Sequence, residues 1–231
     1  MKLQNLIKES ADELRERPSL FLPKILTSVI GSVWILYLLN GMEAMNLSQM
    51  ITGLAFFPLV FFLGVFSPVM VAEMIKNNYN LKQGLLKTFD KSLRLLITSV
   101  LLFVAMTIAL LPAYIGLGIS LLYGNHILLI IGVPITLIIS GILIYGIYFL
   151  PITLTENSSV DSFKESFKAS GESKKEVTVL VLFSFALLAI TYRTTGALEV
   201  LGTIGFIVGR AISSIVSTYT VTLSPKYYLN K

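Results

Sequence analysis

Six long apolar runs decide what this chain can fold into. They cover about residues 19–39, 51–75, 93–111, 127–154, 176–192 and 196–224. A helix needs ~20 apolar residues to cross a ~30 Å hydrocarbon core, so each run is long enough, or nearly so, to span a bilayer. With 55% hydrophobic and 13% charged residues and a mean hydropathy of +0.80, the chain is far from the roughly 25% charged composition of soluble domains. The sequence predicts an all-α integral membrane protein, with residues 1–231 forming a single polytopic membrane domain. The first 17 residues carry eight charges and no apolar core, so no cleaved signal peptide is expected there.

Between the runs lie amphipathic segments. Leu3, Leu6, Ile7, Ala11 and Leu14 recur at helical spacing with acids and bases around the rest of the wheel, and Pro18 ends the pattern. Leu81, Leu85, Leu86, Phe89 and Leu93 form a second apolar face opposite Lys82, Lys87, Asp90, Lys91 and Arg94. Val160, Phe163 and Phe167 form a third, with Gly171 as its stop. Leu6-Ile7-Lys8 and Leu14-Arg15 return 79 residues later as Leu85-Leu86-Lys87 and Leu93-Arg94, and Pro68 with Glu73 returns 83 residues later as Pro151 with Glu156. The expected architecture is six transmembrane helices as three repeated hairpins, each preceded by a cytoplasmic amphipathic helix, with approximate repeats 1–78, 79–157 and 158–231. Convergence on a common lipid-surface pattern is the alternative.

Proline and glycine set the remaining expectations. Pro58 and Pro68 each free a carbonyl, those of Leu54 and Gly64, and favour kinks. Pro134 and Pro151 fall in the fourth run, and the segment from Pro112 to His126 suits neither a loop nor a helix. Arg193-Thr194-Thr195 reads as a tight turn between the last two runs.

Sixteen of the eighteen basic residues cluster at one set of run ends, from Lys2 and Lys8 to Lys226 and Lys231. The excess of Lys and Arg in cytoplasmic loops then puts both termini inside, with Arg193 outside. The same clustering explains the net charge of +5 by anionic headgroups and not by nucleic acid. Membrane lipids, or a partner protein, are the expected partners, met by a basic surface of Lys82, Lys87, Lys91, Arg94, Lys164 and Lys168.

Arg210 is the remaining cation. It lies 14 residues, or about 21 Å, into the last run, near the membrane midplane, where an ionisable residue is a functional-site hypothesis by default. Glu199 is about 16 Å away along the same helix, so a partner has to come from elsewhere. Candidate acceptors are the carbonyls of Gly64 or Ile130 and the hydroxyls of Tyr145, Thr136 and Ser140. Glu73 and Glu156, each five residues after a proline, complete a candidate intramembrane or interfacial polar site. They either pair with lysines of the adjacent surface helices or form a joint ion or headgroup site. Gly205, Gly209, Ser213 and Ser217 make a small-residue stripe that favours close helix packing.

Catalytic residues, metal ligands and cofactors are not indicated. The chain has no cysteine and one histidine, His126, and no phosphate loop, GxSxG or HExxH. Asn46-Leu47-Ser48 matches a glycosylation acceptor. Two stretches, LRERPSLFLP from Leu14 and LPITLTENSSVDSFKESFKAS from Leu150, resemble the multi-helix membrane domain attached to some bacterial glycerophosphodiester phosphodiesterases and related archaeal membrane proteins. The soluble phosphodiesterase barrel is missing, so the resemblance implies a membrane module of unestablished role and no phosphodiesterase activity. Low Gln and absent Cys would suit a thermophilic archaeal source. The expected function is a membrane module without catalytic activity, and the alternative is a small-solute or anion transporter using Arg210.

Overall fold

A computed structural model describes residues 3–44, 46–124 and 126–231. Lys2, Met45 and Asn125, which fall in segments discussed above, lie outside the described residues, as does the side chain of Glu199. All regular structure among the described residues is helical. The α-helices are α1 (Leu3–Glu16), α2 (Leu22–Glu43), α3 (Leu47–Ala55), α4 (Phe57–Lys76), α5 (Leu81–Phe89), α6 (Ser92–Tyr123), α7 (Ile127–Gly146), α8 (Leu150–Thr153), α9 (Ser159–Glu172), α10 (Lys174–Gly196) and α11 (Gly202–Leu229). Six stretches are long and apolar enough to cross a membrane: Pro18–Glu43, Leu47–Lys76, Ser92–Tyr123, Ile127–Gly146, Lys174–Gly196 and Gly202–Leu229.

The segment from Pro112 to His126 is mostly helix. α6 runs through Pro112 to Tyr123 and stops at Gly124, whose φ of +66° supplies the left-handed cap. Thr136 on α7 accepts a hydrogen bond from the Ala113 N–H beside the proline, at 3.0 Å. The glycines mark helix contact: a Cβ on Gly132 would lie 2.3 Å from the Pro112 carbonyl oxygen, and one on Gly116 2.6 Å from that of Leu128. In lipid, small residues bring helix backbones together where in water they would signal a break.

Three other boundaries move. Pro58 sits in the first turn of α4, after an interruption at Phe56, and the neighbouring Gly53 carbonyl accepts from Trp34 Nε1 at 2.7 Å. The fourth span ends at Gly146, and Pro151 opens the separate short α8. A Cβ on Gly146 would meet the Phe167 ring at 2.1 Å, so the glycine lets α9 close against the end of α7, where Ser166 Oγ donates to the Gly146 carbonyl at 2.7 Å. The expected Arg193–Thr195 turn is instead the last part of α10. Both threonine hydroxyls bond back to carbonyls of the preceding turn, a local alternative open to threonine inside a helix. The reversal falls at the 3-10 turn Ala197–Leu201 and Gly202, whose φ is +68°.

The core sits at one end of the bundle, the end that carries most of the basic residues. There α4, α8 and α11 meet, with Phe66, Val69, Leu150 and Leu154 in one cluster and Phe149, Ile152 and Val177 in a second. α1 packs on α11 through Leu6 and Leu223, α5 packs on α4, and α9 packs on α7 and α8. Towards the opposite end the helices expose apolar side chains such as Leu121, Leu122 and Ile127, as lipid-facing helices do.

Candidate functional site

The last turns of α4 place Glu73, Lys76 and Asn77 at the rim of this core. Glu73 is 2% exposed, and its carboxylate accepts from Lys91 Nζ and, at 3.1 Å, from Asn77 Nδ2. Lys91 also donates to the Thr155 carbonyl at 2.6 Å. Lys76 bridges to Glu156 Oε1 at 2.7 Å and to Thr155 Oγ1 at 3.2 Å. Lys87 donates to Asn77 Oδ1, and Asp90 joins these groups around an open cavity of about 290 Å³. Three ammonium groups thus face three carboxylates, with no surplus of either sign. The arrangement ties α4 to α8 and to the start of α6.

Two further links continue around the same end. Glu13 of α1 pairs with Lys226 of α11 at 2.5 Å and accepts from the Tyr79 hydroxyl, while the Arg17 guanidinium lies 3.7 Å from the Tyr79 ring centroid. Asn78 and Tyr79 both have positive φ, 51° and 63°, unusual for a residue with an aromatic side chain and held here by those contacts. Burial first, then the Glu13 carboxylate, pushes the Tyr79 phenol above its ordinary range, against the opposing effect of Arg17. At the C-terminus Lys231 bonds Glu172 Oε2 at 2.9 Å, which holds that carboxyl below the usual carboxylate range.

Glu73 and Glu156 therefore do come together, through Lys76, Lys91 and Thr155. Lys91 is a correction to the expected basic surface: it points inward. α5 ends at Phe89 and α6 begins at Ser92, and the turn between them takes Lys91 off the polar face of α5. Lys82, Lys164 and Lys168 are exposed, and Arg94 reaches the Asn157 carbonyl at 3.5 Å. Lys226, Tyr79, Arg17 and Glu13 were not singled out as site residues by sequence reasoning; Lys226 was legible only as an orientation charge, and Tyr79 carried no signal at all.

Arg210 stands apart from both glutamates. Because α11 begins at Gly202, Arg210 is about 12 Å from its start and about 24 Å from Lys226. Its side chain is exposed over the Phe206 ring, 5.2 Å from the centroid, and no carboxylate or carbonyl among the described residues accepts from its guanidinium. Its backbone carbonyl links α11 to α2, accepting from Ser28 Oγ at 3.1 Å and also from Ser214 Oγ at 2.8 Å. Two of the named acceptors have other partners: Tyr145 donates to the Ser170 carbonyl and Thr136 accepts from the Ala113 N–H. The small-residue stripe packs within the chain, since a Cβ on Gly205 would lie 1.7 Å from the Leu198 carbonyl oxygen and Ser213 Oγ lies 3.3 Å from Thr195 Oγ1. Ser217 is half-buried, and its carbonyl accepts from the Thr220 hydroxyl within α11. His126 is exposed and contacts Ser120 Oγ at 2.5 Å, and Asn46 caps α3 by accepting from the Gln49 N–H at 3.1 Å.

Helix content, span number and lipid-facing apolar surface define an all-α, multi-pass membrane protein. In comparisons with protein-family models, curated proteins and solved structures, none matches this chain.

Proposed function

We propose that this protein is a membrane module without catalytic activity that engages anionic lipids, or a partner protein, through basic amphipathic helices on its cytoplasmic face. One observation carries the reading. α1, α5 and α9 each bury one side against the ends of membrane-spanning helices and leave Lys8, Lys82, Lys164 and Lys168 exposed at that same end. The lysines committed to Glu73 and Glu156 fasten the bundle, and the uncommitted ones remain for headgroups, each worth about 1 kcal/mol near an anionic surface.

The module is built as three hairpins, each preceded by an amphipathic helix, set in a cell membrane with both termini inside. The packing supports this. α5 lies on the second helix of the first hairpin, α9 on that of the second, and α1 on that of the third, which closes the ring. The membrane domain of glycerophosphodiester phosphodiesterases remains the family whose pattern the chain resembles. The transport alternative needs Arg210 on a water path, and its exposed position over Phe206 does not favour it.

The experiment is lipid retention by the purified chain. The wild type is expected to keep phosphatidylglycerol in preference to phosphatidylcholine, and the triple variant Lys82→Gln, Lys164→Gln, Lys168→Gln to lose most of that preference. Equal retention of the two lipids by the wild type refutes the reading.

A further inference from the structure

Beneath α1 runs a groove of about 540 Å³ whose walls come from α10 and α11. α1 contributes Ala11, Leu14 and Arg15, α10 contributes Phe183, and α11 contributes Ile215 and Tyr219. The Tyr219 hydroxyl donates to the Ile7 carbonyl at 2.9 Å, so it closes the roof and has no proton left for an anionic ligand. The remaining surface is apolar except for Arg15, in the last turn of α1. Arg15 is exposed and, among the described residues, carries no ion pair, although acids are abundant on its own helix: Glu13 is taken by Lys226.

A second groove, about 340 Å³, lies beneath α5 between α2 and α4. Leu26, Leu63, Phe66 and Leu85 line it, and its lining includes no charged side chain. The two grooves share a position, under an amphipathic helix and between the two membrane helices of one hairpin, and differ in the cation at the mouth.

We infer that the groove under α1 is a binding site for one anionic phospholipid, with an acyl chain between α10 and α11 and the phosphate on the Arg15 guanidinium. The site rests on the reading of the basic end as a lipid-facing surface and gives it a specific location. An apolar trough open to the bilayer fits a hydrocarbon chain and not a polar solute. A guanidinium at headgroup depth without a carboxylate partner is matched by phosphate, which it can bind in bidentate fashion.

The test uses the full-length purified chain in detergent, incubated with phosphatidylglycerol or phosphatidylcholine, with bound lipid counted by native mass spectrometry. Arg15→Gln is expected to weaken phosphatidylglycerol retention about fivefold and leave phosphatidylcholine unchanged. Ala11→Phe, at an exposed position where a ring enters the groove without disturbing the core, is expected to reduce both lipids. Thermal melting of each variant shows that it is folded. If both variants retain phosphatidylglycerol as the wild type does while the triple lysine variant does not, the groove is wrong and the basic surface stands. If Ala11→Phe acts and Arg15→Gln does not, the phosphate assignment is wrong. If the wild type shows no preference between the lipids, both readings fall.

Discussion

Lys91 reaches from the start of the third membrane helix to Glu73, eighteen residues earlier in the chain, and with the same ammonium group bonds the Thr155 carbonyl of a third segment. One side chain thus fixes three separately threaded pieces at the rim of the core. The pair is asymmetric in exposure, with Glu73 at 2% and Lys91 at 18%, so it belongs with buried ion pairs, where removing one partner is costly because the other is left uncompensated.

Glu73→Gln is therefore expected to destabilise the chain by about 3 kcal/mol, and the double variant Glu73→Gln, Lys91→Met to recover most of that loss. Glu156→Gln, at a half-exposed carboxylate, should cost no more than about 1 kcal/mol. Denaturant or thermal unfolding in a fixed detergent compares the three. Equal effects at Glu73 and Glu156 would contradict the assignment of the buried pair.

Alkaline pH should expose the role of Tyr79. Its phenol is raised in the folded state by burial and by Glu13, so folding favours the neutral form. The stability this contributes is complete below the phenol's ordinary pKa near 10 and is lost as pH climbs beyond it, because the unfolded chain ionises first. Tyr79→Phe should unfold with a shallower dependence on pH than the wild type above about pH 10. Parallel melting curves for the two proteins across that range would rule this out.

Backbone contact between α6 and α7 makes a sharp prediction for glycine. Gly132→Ala forces a methyl group onto the Pro112 carbonyl and should lower stability by about 1–3 kcal/mol. Gly141→Ala, with nothing within 4 Å of its Cβ, should be neutral or slightly stabilising. The difference between the two melting temperatures is the measurement.

The absence of cysteine makes topology directly testable. A single cysteine at Lys168 is expected to react with an impermeant thiol reagent only from the cytoplasmic side, and one at Arg193 only from outside. Labelling of both from the same side would overturn the threading of the fifth span.

The span count was readable because lipid imposes a minimum length on each apolar run, and no tertiary information is needed to see it. Pro112 and Gly116 left their segment unassigned for the converse reason: their usual meaning as breaks holds in water, whereas here they are points at which α6 touches α7. Glu73 and Glu156 could be found from their offset to proline. Their lysines could not, since Lys91 falls on the polar side of the α5 wheel and only the turn after Phe89 redirects it. The distance of Arg210 from its helix start is about 12 Å and not about 21 Å, because the helix starts at Gly202 and not at Gly196. The proline spacing has a third occurrence, Pro225 with Asn230, concealed by the amide in place of the acid.

The contact between α1 and α11 also orders events in time. Tyr219 meets the carbonyl of Ile7 across 212 residues, and Lys226 meets Glu13 nearby. The ribosome makes Ile7 and Glu13 long before Tyr219 and Lys226. Leu14 lies on the cluster built from Phe66 and Val69 of α4, but Leu6 lacks Leu223 and Glu13 lacks Lys226 until α11 arrives. The hold of α1 on the bundle is thus complete only once α11 is in place.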